Sequence, residues 1–225
     1  MGNRDRRAVN GVRRTPAPSG DTTDADPGCF VVLEGIDGSG KSVQARMLAK
    51  RLEPLEAGVV LTREPTDGLW GRRYRSWARG ETEASSDEVL TFFLEDRAEH
   101  VERVIRPALG RGDVVVCDRY VDSTRAYQAA HGVDRHALEE RIRERLFPEP
   151  GLVLWLRVPV TAALDRIEEA ATERYERRAF LERVDREYAR LGLHEIDGSA
   201  TPEKVGDGIG RVVEALLRDR GIIPR

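Results

Sequence analysis

The chain has 225 residues, 40% of them apolar and 34% charged, with a formal net charge of −3. That is material for one compact domain under a heavily charged surface, without the basic excess of a protein that grips nucleic-acid backbone. There is no run of about 18 apolar residues to span a membrane, and the arginines near the start have no apolar stretch behind them, as a secretory signal would. Two cysteines, Cys29 and Cys117, are too few for a disulfide framework or a zinc site; both lie in apolar runs and read as buried free thiols in a reducing cytoplasm. No nucleic-acid partner and no membrane are expected, and the location expected is cytoplasmic. Of the 37 basic side chains only three are lysines, which makes Lys41 conspicuous.

Residues 1–28 carry five arginines, four aspartates and almost no large apolar side chain. Such a segment cannot bury enough surface to offset its ordering entropy, so it reads as a disordered tail. From Cys29 onward, short apolar runs alternate with amphipathic ones. Cys29–Leu33, Gly58–Thr62, Asp113–Cys117 and Gly151–Leu156 are nearly continuous apolar runs, as in strands buried on both faces, and Leu193–Ile196 is a weaker fifth. Helical spacing runs through Ser42–Leu52, Asp87–Leu109, Asp134–Leu146, Thr161–Ile167, Arg177–Leu191 and Pro202–Leu217, the last with Thr201 at the N-cap. The alternation predicts an α/β fold, a five-stranded, mainly parallel sheet flanked by helices. Ligands in such sheets bind beyond the carboxyl ends of the strands.

Directly after the first strand stands Gly35-Ile36-Asp37-Gly38-Ser39-Gly40-Lys41-Ser42, a full match to G-x-x-x-x-G-K-[ST] between strand and helix. Glycines let backbone amides turn inward around a phosphate, and the helix N-terminus adds partial positive charge. Lys41 then reaches the β- and γ-phosphates, and the Ser42 hydroxyl coordinates Mg²⁺. The chain is therefore expected to have the P-loop NTPase fold and to bind ATP through residues 35–42. No Asn-Lys pair exists to read guanine. A small nucleotide kinase needs a second anion site. Arg63 and Arg119 each directly follow a buried strand at its carboxyl end, whereas Arg72 and Arg73 read as surface charges.

With Thr62-Arg-Glu-Pro65, Asp96-Arg-Ala-Glu-His100, Asp118-Arg-Tyr120, Ser123, Ala126-Tyr-Gln128 and Ile196-Asp197 added to the loop, the sequence from Phe30 to the C-terminus resembles the thymidylate kinases. The resemblance implies the nucleoside monophosphate kinase type of P-loop fold, with one kinase domain over residues 29–225 and a short lid around 168–178. It implies transfer of the γ-phosphoryl group of ATP to dTMP with Mg²⁺, in dTTP biosynthesis, by a homodimer. Carried over by position, Phe93 stacks on thymine and Arg97 donates to it. Tyr127 packs under the deoxyribose, and Gln128 and Thr124 line the base and sugar pocket. Asp37 approaches the sugar and the reacting phosphates, Arg75 and Arg119 hold the acceptor phosphate, and Glu64 lies near the metal. Asp118 supports the metal directly or through water. Arg174 matches the lid arginine, with Arg166 as a second candidate, so the catalytic set is Asp37, Lys41, Arg119 and Arg174. The chain departs from the family pattern at Thr66-Asp67, where two glycines are common, and in a shortened lid that starts acidic. Two other readings stay open: a kinase for a related deoxynucleotide or deoxynucleoside, and a nucleotide-binding regulatory protein with little catalysis.

Overall fold

The computed structural model describes residues 28–55, 57–167 and 171–224, and of 171–176 the backbone alone. The proposed tail lies outside the described residues, apart from Gly28 at its end. All five expected strands form: β1 Cys29–Glu34, β2 Val59–Arg63, β3 Val114–Asp118, β4 Leu152–Arg157 and β5 His194–Asp197. Every pairing is parallel, in the order β2-β3-β1-β4-β5. Alternation across the pleat explains why the runs are apolar throughout. Cys29, Val31 and Leu33 enter one core while Phe30 and Val32 enter the other, and Val114 and Val116 part from Val115 and Cys117 in the same way. Both cysteines are buried free thiols.

The helices are α1 Lys41–Leu52, α2 Leu69–Ala78, α3 Ser86–His100, α4 Arg106–Gly110, α5 Val121–Ala130, α6 Arg135–Arg143, α7 Val160–Asp165, α8 Ala171–Tyr188 and α9 Pro202–Asp219. One core lies between the sheet and α1 with α9; the second lies beneath α3, α5 and α6. A third, smaller one packs α5 and α7 against α8. The long helical pattern Asp87–Leu109 is not one helix. It opens into a π-helical turn over Val101–Ile105 before α4, whose Pro107 has no amide to give the ladder. α8 starts six residues before the expected Arg177. Thr201 stands at the N-cap of α9, but its side chain makes no capping bond. Leu33 and Arg63 are both in register with Asp118, so β2 and β3 end at one level and β1 runs one residue further, to Glu34. The next residues, Gly35, Glu64 and Arg119, therefore meet at one edge.

Candidate active site

The phosphate loop begins where β1 ends. Gly35, Gly38 and Gly40 have φ values of 143°, 78° and 98°. A Cβ on Gly38 would stand 2.2 Å from the Ala163 carbonyl oxygen, and one on Gly35 2.6 Å from that of Leu156, so close packing and backbone conformation both demand glycine. No side chain caps the N-terminus of α1, which leaves that helix end to an anion. Lys41 lies folded over the loop, its Nζ donating to Ile36 O at 2.7 Å and to Ser39 Oγ at 3.2 Å. Burial, and then the charge of Arg119, lower its pKa to about 8. A bound phosphate reverses that electrostatic deficit.

Three cations from three elements surround one carboxylate. Asp37 Oδ1 accepts from Arg119 Nη2 at 2.7 Å, and Asp37 Oδ2 from Arg177 Nη2 at 3.4 Å. Burial pushes the Asp37 carboxyl up, but Arg119, Lys41 and Arg177 together hold it below its ordinary value. Arg119 has a left-handed backbone, φ 74°. From there its guanidinium also donates to Gly35 O and Ser123 Oγ at 3.3 and 3.1 Å and lies 5.1 Å over the Tyr127 ring. Among the described residues Asp118 makes no hydrogen bond to the Arg119 guanidinium. Its Oδ2 accepts from the Ser42 hydroxyl, and its Oδ1 is buried without a partner among the described residues. An orphaned carboxylate oxygen beside a hydroxyl at a phosphate loop fits Mg²⁺, which takes oxygen ligands and keeps several waters.

The acceptor side is a polar wall between β2, α3 and α5. Arg97 is 1% exposed; its Nε donates to Glu64 Oε2 at 2.8 Å and its Nη2 to Tyr120 O and Thr124 Oγ1, both at 2.9 Å. Its Nη1 is buried and unpartnered among the described residues. Glu64 Oε1 meets His100 Nδ1 at 3.0 Å, and His100 Nε2 meets Thr62 Oγ1 at 2.7 Å. Both Glu64 oxygens are thus engaged with Arg97 and His100, and neither meets the Ser42–Asp118 pair. Thr124 and Gln128 are buried on α5. Phe93 is half-buried, its ring 4.6 Å from that of Tyr74 on α2. Arg75 donates to Asp67 Oδ1 at 2.8 Å and to Pro65 O at 3.4 Å. The Glu64–Pro65 peptide is cis.

Arg63 turns outward to Asp67, and Arg73 stacks on Trp70. Arg166 Nη1 donates to Gly38 O and Ser39 O at 3.1 and 3.3 Å, beside the loop. The side chain of Arg174 lies outside the described residues, as do residues 168–170 of the expected lid; from Ala171 that stretch is the first turns of α8. Sequence reasoning gave no site role to Arg177, Tyr74, His100 or Glu34. Only His100 and Glu34 carried a local signal: one sits in the Asp96–His100 motif, the other is a carboxylate ending an apolar strand beside the glycine loop.

The thymidylate kinase family model matches residues 33–209. A thymidylate kinase of Xanthomonas campestris pv. campestris is 42% identical over 198 residues, covering 86% of each chain. One from Xanthomonas euvesicatoria pv. vesicatoria is 40% identical over 199 residues, again 86% of each. One from Desulfotalea psychrophila is 36% identical over 200 residues, which is 86% of this chain and 98% of the relative. With that match running through the phosphate loop, the Arg119 turn and the Arg97 wall, the chain belongs to the thymidylate kinase family.

Proposed function

We propose that this chain transfers the γ-phosphoryl group of ATP to dTMP, forming dTDP and ADP. The observation that carries the reading is the Asp37–Arg119–Arg177 cluster. It stands between a phosphate loop on one side and a wall with one unspent, buried arginine donor on the other. That donor, Arg97 Nη1, suits a base carbonyl oxygen opposite the Phe93 ring.

The acceptor needs no strong general base, since a phosphate monoester, with its second pKa about 6, is largely dianionic near neutral pH. The barrier is the approach of two anions, and the residues answer it with alignment and positive charge. Lys41 exchanges its bonds to the loop for the triphosphate. Arg119, held by Gly35, Ser123 and Asp37, presents a fixed guanidinium to the acceptor phosphate, with Arg75 beside it. An acceptor phosphate oxygen attacks the γ-phosphorus, the bond to the β–γ bridging oxygen breaks, and ADP departs. Arg177 brings the cation from α8 that the resemblance assigns to Arg174. Ser42 and Asp118, the latter directly or through water, would hold a Mg²⁺ ion, which would supply charge neutralisation at the β- and γ-phosphates. Tyr127, Thr124 and Gln128 line the sugar and base pocket.

We extend the proposal to one kinase domain over residues 29–225 that works in the cytoplasm as a homodimer. No helix among the described residues is long and apolar enough to cross a membrane. The test is dTDP formation by purified protein from dTMP and Mg-ATP, with dUMP, dCMP and thymidine as rival acceptors. The expected result is turnover fastest with dTMP and abolished by Lys41→Ala. Poor turnover of dTMP beside another acceptor overturns the thymidine assignment, and ATP binding without any turnover favours a regulatory protein.

A further inference from the structure

Glu34 is the last residue of β1, is fully buried, and belongs to none of the phosphate contacts described above. Its Oε1 accepts from the backbone amides of Tyr120 and Ser123 at 2.8 and 3.1 Å. Its Oε2 accepts from the hydroxyls of Ser123 and Tyr188 at 2.5 and 2.9 Å. One carboxyl thus ties the start of the phosphate loop to the first turn of α5 and to the far end of α8.

Both ties lead to a cation of the reaction centre. Ser123 Oγ, which donates to Glu34, accepts from Arg119 Nη1 at 3.1 Å. Tyr188 is on the helix that carries Arg177, eleven residues away. At about 3.6 residues per turn that is three turns, so the two side chains project from the same face. α8 is therefore fastened to the loop at two carboxyls on either side of Gly35: Tyr188 to Glu34 and Arg177 to Asp37.

We infer that Glu34 is a positioning residue for phosphoryl transfer, setting the Arg119 guanidinium through Ser123 and the approach of α8 through Tyr188. Fold stability is not a sufficient reason for it. Burial, and then the like charge of Asp122, push the Glu34 carboxyl up to about 7, so its charged form is costly in the core. The four donors that meet it all come from the two elements that deliver cations to the acceptor phosphate. The inference rests on the dTMP kinase reading of the site. It predicts an effect mainly on one substrate's side, because among the described residues Glu34 makes no hydrogen bond to Lys41, Ser42 or the loop amides, and its charge is the smallest of the influences named on Lys41.

The experiment is steady-state kinetics on the full chain with both substrates varied, together with calorimetric binding of ATP and of dTMP. Glu34→Gln keeps an acceptor for the two amides but replaces the second oxygen by an amide NH₂, a donor where the hydroxyls of Ser123 and Tyr188 need an acceptor. It is expected to lower kcat/KM for dTMP by about 10²-fold, the scale of a small misplacement of a reacting group. Its ATP dissociation constant is expected to stay within twofold. Ser123→Ala, which breaks the Arg119 relay and leaves the strand intact, is expected to show the same one-sided loss. Adding it to Glu34→Gln is expected to cost less than twofold more, since the two act on one path. If Glu34→Gln fails to fold, Ser123→Ala and Tyr188→Phe decide. Parental turnover with variants unchanged in dTMP kinetics overturns the inference alone, as does an equal loss of ATP and dTMP affinity. A parental chain that neither binds dTMP nor makes dTDP overturns the reading of the site.

Discussion

Arg119 reaches Asp37 at 2.7 Å from a left-handed backbone conformation that costs a non-glycine residue on the order of 1–2 kcal/mol. Its amide is meanwhile fixed to Leu33 O at 2.9 Å. The conformation sends the side chain back across the end of β1 instead of outward from the sheet. The guanidinium then spends both of its terminal nitrogens on groups of the loop and of α5. Strain of this kind persists where the surroundings over-determine it, here through Gly35, Ser123, Asp37 and Tyr127.

A lysine in that place keeps the charge and loses the fork. An ammonium has three donors on one centre and cannot reproduce the planar fork that reaches Gly35 O and Ser123 Oγ through one nitrogen and Asp37 through the other. Arg119→Lys is therefore expected to lower kcat by on the order of 10³, as loss of a transition-state arginine does. The far-ultraviolet circular dichroism is expected to be unchanged. Single-turnover kinetics with saturating ATP check this, and a kcat within threefold of the parent shows that the fork has no special role.

Asp67 holds Arg75 at 2.8 Å and Arg63 at 3.3 Å. On the proposed reading, in which Arg75 meets the acceptor phosphate, that phosphate competes with the Asp67 carboxylate. The pair is partly exposed, which places its strength in the range of about 0.2–1 kcal/mol. Asp67→Asn is expected to lower KM for dTMP by about two- to fivefold and to leave KM for ATP unchanged. An unchanged or raised KM for dTMP means that Asp67 helps to hold Arg75 in its working place.

Tyr74 offers a different kind of check. Its ring lies 4.6 Å from Phe93. Burial, and then the charge of Asp37, raise its phenol pKa, while Arg119 and Arg177 oppose the shift. The side chain thus packs against Phe93 while its hydroxyl feels the charges of Asp37, Arg119 and Arg177. Loss of an aromatic pair is worth about 0.5–1.5 kcal/mol, so Tyr74→Leu is expected to raise KM for dTMP by about two- to tenfold. KM for ATP serves as the internal control, and an equal rise in both places Tyr74 in general packing.

The sheet and the phosphate loop were legible because they obey local rules: fully buried parallel strands are apolar on both faces, and the loop needs glycine at fixed spacings. Two helices were not, for one reason each. α2 is only ten residues long and fully buries only Gly71; its half-buried stripe of Trp70, Tyr74 and Trp77 is interleaved with Arg72, Arg73 and Arg75, which mask it. α5 buries Asp122, Thr124 and Gln128 among its apolar residues, because part of its inward face carries the polar wall of the site. A period-seeking eye finds no amphipathic helix there. Arg97, Arg119 and Asp37 stood in motifs, whereas Arg177 and Tyr188 reach the loop from 140 and 154 residues away in sequence. Such pairings follow from how α8 docks, and no local pattern encodes them.

Glu34 also makes stability depend on pH in a direction opposite to that of an ordinary paired carboxylate. Burial raises its carboxyl to about 7 in the native chain, from an ordinary value of 4.5. Below 4.5 both native and unfolded chains hold the proton, and the group's contribution is complete. Between 4.5 and 7 the unfolded chain releases the proton and the native chain keeps it, so stability falls as pH rises. Above 7 the contribution is gone. At 1.36 kcal/mol per unit the loss is on the order of 3 kcal/mol. Glu34→Gln cannot titrate, so the stability difference between parent and variant is expected to move against the parent by about that amount between pH 4.5 and 8. Urea unfolding of both proteins across that range measures the difference directly, with other titrating groups cancelling in the subtraction. A difference that stays flat shows that the amides of Tyr120 and Ser123 and the hydroxyls of Ser123 and Tyr188 hold Glu34 ionised throughout.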